Sequence, residues 1–276
     1  MKDEGRLKVL EKIDLFEREE KWHCEVEDDP ETIPLTPDKV DYLDQKFSNK
    51  VMNKVANHLA IKHFEKMIKN NQFIIKEIRG LENYRAVEGG AILTCNHFNP
   101  CDNYAVFRAI RKDLGKRNLY KVIREGNYTN FPGLYGLLFR HCNTLPLSSN
   151  VETMKKFLSA LSVLLKRGEK VLIFPEQAMW WNYRKPRPLQ SGAFNFAVSN
   201  NVPVIPVFIT MEDSEFIDGT GFPVQAYTLH FLPAIYADKT LNKKQQIEKM
   251  KNQNFEMWKE VYEKEYNTAL TYLAQE

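Results

Sequence analysis

The residues Asn96-His97-Phe98-Asn99-Pro100-Cys101-Asp102 bring together a proton acceptor and a carboxylate five positions apart. A histidine titrates near neutrality, and a carboxylate on one ring nitrogen fixes the tautomer and steadies the imidazolium formed when the other nitrogen takes a proton. Along one helix, five residues rotate by about 500°, leaving the two side chains roughly 140° apart. They meet only across a turn. Thr94 ends an apolar run that reads as a strand, and Pro100 suits a first helical turn. His97 then falls in a strand-to-helix loop, with Asp102 in the helix's first turn. A base and its orienter without a nucleophilic side chain leave the nucleophile to be a substrate hydroxyl. The same spacing also fits an ordinary hydrogen-bonded histidine at a helix start. A zinc site at Cys95, His97 and Cys101 matches no common structural finger and lacks a named fourth ligand, so no metal is expected.

Phe174-Pro175-Glu176 also follows an apolar strand, at the position where ligand sites of open α/β sheets gather. Arg140 precedes it. Beyond it Arg184, Lys185 and Arg187 interleave with Trp180, Trp181 and Tyr183. Such a run can hold a phosphate while rings cover an acyl chain or a membrane interface. It can also stack nucleic-acid bases.

The elements that must position these groups are legible from periodicity. Runs at 73–78, 91–94, 170–174, 202–209 and 227–232 read as strands. Helices are expected from Pro100 through Ile110, over Val151–Lys166 up to Gly168, and over Ser191–Ser199. Helices between apolar strands predict an α/β fold with a mixed, largely parallel sheet flanked by helices, plus extra terminal helices. Residues 1–70 read as a peripheral acidic arm, helical at first and then extended through Pro30, Pro34 and Pro37, followed by an amphipathic basic helix from Lys46 to Asn70. Residues 71–240 form the main domain, and 241–276 a long C-terminal helix docked on it through Ile247, Met250, Trp258, Val261, Tyr262, Leu270 and Leu273.

Charge divides along the same boundary. Residues 1–45 carry 7 Lys/Arg against 15 Asp/Glu, or −8, and the remainder carries +11. A basic body suits anionic headgroups, phosphorylated substrates or nucleic acid. No apolar run is long enough to span a bilayer, and Met1–Glu20 has no apolar signal core, so a cytoplasmic protein is expected. The four separated cysteines suit reduced thiols. The basic helix 46–70 either packs its apolar stripe on the core or lies in an anionic membrane surface.

Taken in order, these segments resemble the glycerolipid acyltransferases of the lysophosphatidic-acid-acyltransferase type. Asn96, His97 and Asp102 match that family's first motif. Gly136 to Arg140 leading to Leu145-Pro146-Leu147 resembles the second. Phe174, Pro175 and Glu176 match half of the third, Phe-Pro-Glu-Gly-Thr-Arg, with Gln177, Ala178 and Met179 in place of the rest. Gly192-Ala193-Phe194 followed by Val202-Pro203-Val204-Ile205-Pro206-Val207 resembles the fourth. The resemblance covers about residues 73–235. It implies transfer of a fatty acyl group from acyl-CoA or acyl carrier protein to a hydroxyl of lysophosphatidic acid or a related lysophospholipid, without cofactor or metal. His97 would be the base, Asp102 its orienter, and Asn96, Arg140, Phe174, Pro175 and Glu176 substrate-binding. Arg184, Lys185 or Arg187 would bind the phosphate that Met179 cannot, and Ser191 stands where relatives often carry another cation. The implied partners are the acceptor, the thioester donor and an anionic membrane surface on the cytoplasmic inner face, with Trp180 and Trp181 as a second membrane contact and no nucleic acid. The alternatives are another acceptor, such as glycerol 3-phosphate or a glycolipid, or a non-catalytic lipid-binding relative.

Overall fold

The computed structural model describes residues 2–28 and 31–274; Pro30 of the expected arm and both chain ends lie outside the described residues. In chain order the elements are α1 (Glu4–Arg18), α2 (Phe47–Lys69), β1 (Ile74–Arg79), α3 (Leu81–Arg85), β2 (Ala91–Cys95), α4 (Asp102–Ile110), β3 (Leu119–Ile123) and α5 (Glu125–Thr129). There follow α6 (Gly133–His141), β4 (Thr144–Pro146), α7 (Val151–Lys166), β5 (Lys170–Ile173), α8 (Gly192–Asn200), β6 (Val204–Ile217), β7 (Pro223–Phe231) and α9 (Lys243–Tyr266).

The seven strands form one sheet in the order β1-β7-β6-β2-β5-β3-β4. Every neighbouring pair is parallel except β6 with β7. β2, β3, β4, β5 and β6 therefore run the same way, and the loops after β2, β5 and β3 emerge at one edge of the sheet.

β2 is buried at every position, as a central strand covered on both faces must be. Its side chains alternate between two cores. Leu93 and Cys95 face α4 through Tyr104, Ala105, Val106 and Ile110. Ile92 faces the other layer, where Phe157, Leu161 and Leu164 of α7, Phe194 of α8 and Trp258 of α9 pack together. Gly90 lets β2 enter close beneath α7: a Cβ there would lie 2.1 Å from the Leu165 carbonyl oxygen. Gly168, at φ 83°, turns the chain out of α7 and into β5.

Three expectations shift. β6 runs to Ile217 rather than Ile209, because its outer half pairs antiparallel with β7 beyond the covered part of the sheet. The last helix ends at Tyr266, where Asn267 adopts the left-handed conformation, and residues 267–274 continue without helix. The N-terminal arm is not peripheral: Ile13 and Val26 join Ala178 and Trp180 in a third core. The four cysteines are free thiols.

α9 completes the second core. Trp258 is fully buried, with its ring centroid 5.6 Å from that of Phe208 on β6. Trp258→Ala is expected to lower unfolding free energy by about 3–5 kcal/mol, read as a shifted urea midpoint at unchanged slope.

Candidate active site

β2 delivers Asn96 and His97 to the sheet edge, and α4 begins at Asp102. The loop between them is drawn tight by one carboxylate oxygen. Asp102 Oδ2 accepts from the backbone N–H groups of Phe98 at 2.8 Å and Asn99 at 2.9 Å, and lies 3.1 Å from His97 Nδ1. Since a carboxylate only accepts, Nδ1 carries the hydrogen of this bond and the Nε2 lone pair is left as an acceptor. Asp102 is completely buried, while the His97 side chain keeps 20% of its surface exposed. Burial pushes the Asp102 carboxyl above its ordinary value, and the bonds from His97 and the two backbone groups act against that. Phe174, at the end of β5, lies flat against the imidazole, with centroids 4.0 Å apart and planes 16° from parallel. The ring is thus fixed by a hydrogen bond at one nitrogen and by stacking on one face.

Glu176 secures this loop from the next strand. Its Oε2 accepts from His97 N and from Arg187 Nη2, both at 3.0 Å, and its Oε1 accepts from Arg187 N at 2.8 Å. Arg187 is itself fully buried. Its guanidinium also donates to the carbonyls of Ala178, His97 and Trp22 and lies 4.6 Å above the Trp180 ring. Asn96 serves the same end: its amide exchanges two bonds with the backbone of Ile209 on β6, at 3.0 and 2.8 Å.

These contacts correct the substrate-binding assignments of Asn96, Glu176 and Arg187. All three are buried, with their polar atoms bonded to the protein's own backbone or, for Glu176 and Arg187, also to each other, so they position the loop. Pro175 is likewise buried. Arg184 pairs with Asp213 at 2.6 Å and Lys185 with Glu17 at 2.6 Å, so neither offers a free charge. Arg140 donates to the carbonyls of Tyr128 and Phe131 and has no carboxylate partner among the described residues. Trp180 and Trp181 are buried, which removes them as a membrane contact.

The sequence reading missed the arm's part in the site. Trp22 and Cys24 present carbonyls to Arg187 and to the Trp180 indole, and His23 Nδ1 donates to the Glu176 carbonyl at 3.2 Å. The available signal was the apolar set Phe16, Trp22 and Val26 inside an otherwise acidic stretch. The C-terminal tail closes over the same loop through Tyr272, which donates to the Pro186 carbonyl and packs on Trp22.

Residues 76–210 match the family described as Acyltransferase. Among solved structures, the 1-acyl-sn-glycerophosphate (LPA) acyltransferase PlsC from Thermotoga maritima aligns over 78% of this chain and 84% of its own, at 18% identity and a TM-score of 0.47. No curated protein sequence matches the chain.

A buried ion pair and an exposed one make opposite predictions. Arg187→Met leaves the Glu176 carboxylate buried without its partner and is expected to cost about 3–5 kcal/mol of stability. Arg184→Ala is expected to change it by less than about 1 kcal/mol. Chemical denaturation of the two variants beside the parent measures both.

Proposed function

We infer that this chain, whose residues 76–210 match the family described as Acyltransferase, moves a fatty acyl group from an acyl-CoA or acyl carrier protein thioester to a hydroxyl of a lysophosphatidic-acid-type acceptor. The observation that carries the reading is an oriented base without a protein nucleophile. His97 Nε2 is free to accept a proton, Asp102 holds Nδ1, and among the described residues no serine, threonine or cysteine side chain is hydrogen-bonded to the imidazole.

His97 removes the acceptor hydroxyl's proton as its oxygen attacks the thioester carbonyl carbon. The C–S bond breaks, and the departing thiolate takes the proton back from the imidazolium. No acyl-enzyme forms. Asp102 keeps its proton inventory unchanged and stabilises the transient cation. The Phe174 ring and the Glu176–Arg187 pair hold the imidazole in place, which matters because misplacement of a base by an ångström is expensive in rate.

An acceptor other than lysophosphatidic acid is favoured by one specific observation. Met179 cannot donate to a phosphate, and the three nearby cations expected to substitute for it are occupied by Asp213, Glu17 and Glu176. Arg140 is the remaining named candidate for an anionic headgroup. The cytoplasmic inner face of a membrane is the proposed place of work. No described helix is long and apolar enough to cross a bilayer. The second half of α2 packs on the core through Ile61, Phe64, Met67 and Ile68, whereas its first half leaves Phe47, Val51 and Val55 exposed, with Lys50 and Lys54 beside them. This division supports a surface-lying role for residues 47–55 alone.

His97→Ala is expected to lower thioester cleavage by roughly 10²- to 10⁴-fold without unfolding the protein, measured with acyl-CoA and a panel of lysolipids in vesicles. Near-parental turnover by a folded variant would refute the base. Phe47→Glu with Val51→Glu is expected to reduce flotation with anionic vesicles by about tenfold or more; unchanged flotation would remove α2 from the membrane contact.

A further inference from the structure

The edge of the sheet opposite His97, where β2 and β5 begin, holds a cavity of 440 Å³ walled by Tyr84, Arg85, Asp113, Arg117 and Lys170. Lys170 opens β5, and its side chain is buried, with 3% of the residue exposed. Its ammonium donates to the carbonyls of Val87 at 3.2 Å and Gly89 at 2.7 Å and lies 5.4 Å from the Tyr84 ring centroid, so it faces the cavity wall with no carboxylate partner among the described residues. The Arg117 guanidinium packs against Gly168 and makes no ion pair or hydrogen bond with any described residue. The nearby acid is already taken: Asp113 accepts from Arg85 through both oxygens, at 2.9 and 3.2 Å. Glu88, also on the wall, is exposed and pairs with neither cation. Burial first and Arg117 second push the Lys170 ammonium down to about 8.

Two positive groups therefore share one partly desolvated wall, and neither of its carboxylates, Asp113 and Glu88, pairs with them. That arrangement is unfavourable for the empty protein and favourable once an anion enters. A planar guanidinium fork beside a point-charge ammonium suits a tetrahedral oxyanion better than a single carboxylate. The cavity is larger than a bare oxyanion needs and falls in the range of small-molecule sites.

We propose that this cavity binds the phosphate group of a small phosphate monoester, with Arg117 and Lys170 as its anion contacts. The site is separate from the acyl-transfer site, since it lies at the opposite ends of β2 and β5 from His97, and it stands or falls independently of the function proposed above.

The test is calorimetric titration of the intact protein with inorganic phosphate and, separately, with methyl phosphate, at ionic strength matched by sodium chloride. Saturable binding of both at one site is expected, and tighter binding of the methyl ester assigns the source to a monoester; tighter binding of inorganic phosphate overturns that part of the proposal. Arg117→Gln, at an exposed position where folding is not at risk, is expected to weaken binding at least tenfold, and Lys170→Met similarly where it folds. Arg184→Gln, at the other edge, is expected to leave binding unchanged. No saturable heat with the parent protein, equal binding by Arg117→Gln, or loss of binding in Arg184→Gln would each overturn the site.

Discussion

The buried pair of Glu176 and Arg187 is the constraint on which the active edge depends. Neither charge is accessible to solvent, so each must find its full set of partners inside the protein. Glu176 finds the His97 N–H and the Arg187 N–H; Arg187 finds three carbonyls, on the His97 loop, the loop after β5, and the N-terminal arm. Satisfying one ion pair therefore ties three chain segments together, the His97 loop, the loop after β5 and the N-terminal arm, at the place where the imidazole is held. Removing either member would leave the other unmatched, and the cost would fall on the position of His97 as well as on stability.

That wiring explains why the terminal segments are part of the same unit. The arm lies outside the acyltransferase match at 76–210, yet its carbonyls complete the coordination of Arg187 and its apolar side chains cover Trp180. Its acidity is used in place: Glu17 is buried against Lys185 and accepts from the Leu273 N–H, and Glu25 pairs with Arg124. The charge division between the first 45 residues and the rest is thus partly resolved within the fold, which lowers the net field offered to external anions on this side.

The fold was legible where periodicity and burial coincide. β2, β5 and α7 are short apolar runs or a clear amphipathic repeat bounded by glycine or proline, and they lie within a residue or so of where the pattern puts them. β3 and β4 were not read, because Lys121 interrupts one and the other is only three residues long at the sheet edge. The His97–Asp102 contact was legible because turn geometry leaves the pair one way to meet. The buried roles of Glu176 and Arg187 were not, since a charged residue near a ligand edge reads as a ligand contact until its exposure is known. The same blindness made Trp180 and Trp181 look like an interface when they are core.

The incomplete third motif shows which parts of such a sequence carry shape and which carry contacts. Where the resemblance leads one to expect glycine, Gln177 adopts φ 68°, a left-handed conformation that costs a residue with a side chain about 1–2 kcal/mol. The turn is nevertheless made, with Gln177 N donating to the Phe174 carbonyl and Ala178 N to that of Glu176. It persists because its flanks are fixed: Glu176 by Arg187, and Ala178 and Trp180 by the arm's apolar residues. The absence of glycine is tolerated by over-determining the turn, so the backbone geometry that presents Glu176 to His97 survives. Met179 presents no hydrogen-bond donor at that turn, and the neighbouring cations Arg184, Lys185 and Arg187 pair with Asp213, Glu17 and Glu176. Backbone shape and side-chain contacts are therefore separable here. The His97–Asp102 contact is kept beside a turn whose side chains depart from the resemblance, so the backbone that carries Glu176 to the His97 loop does not depend on which side chains the turn presents.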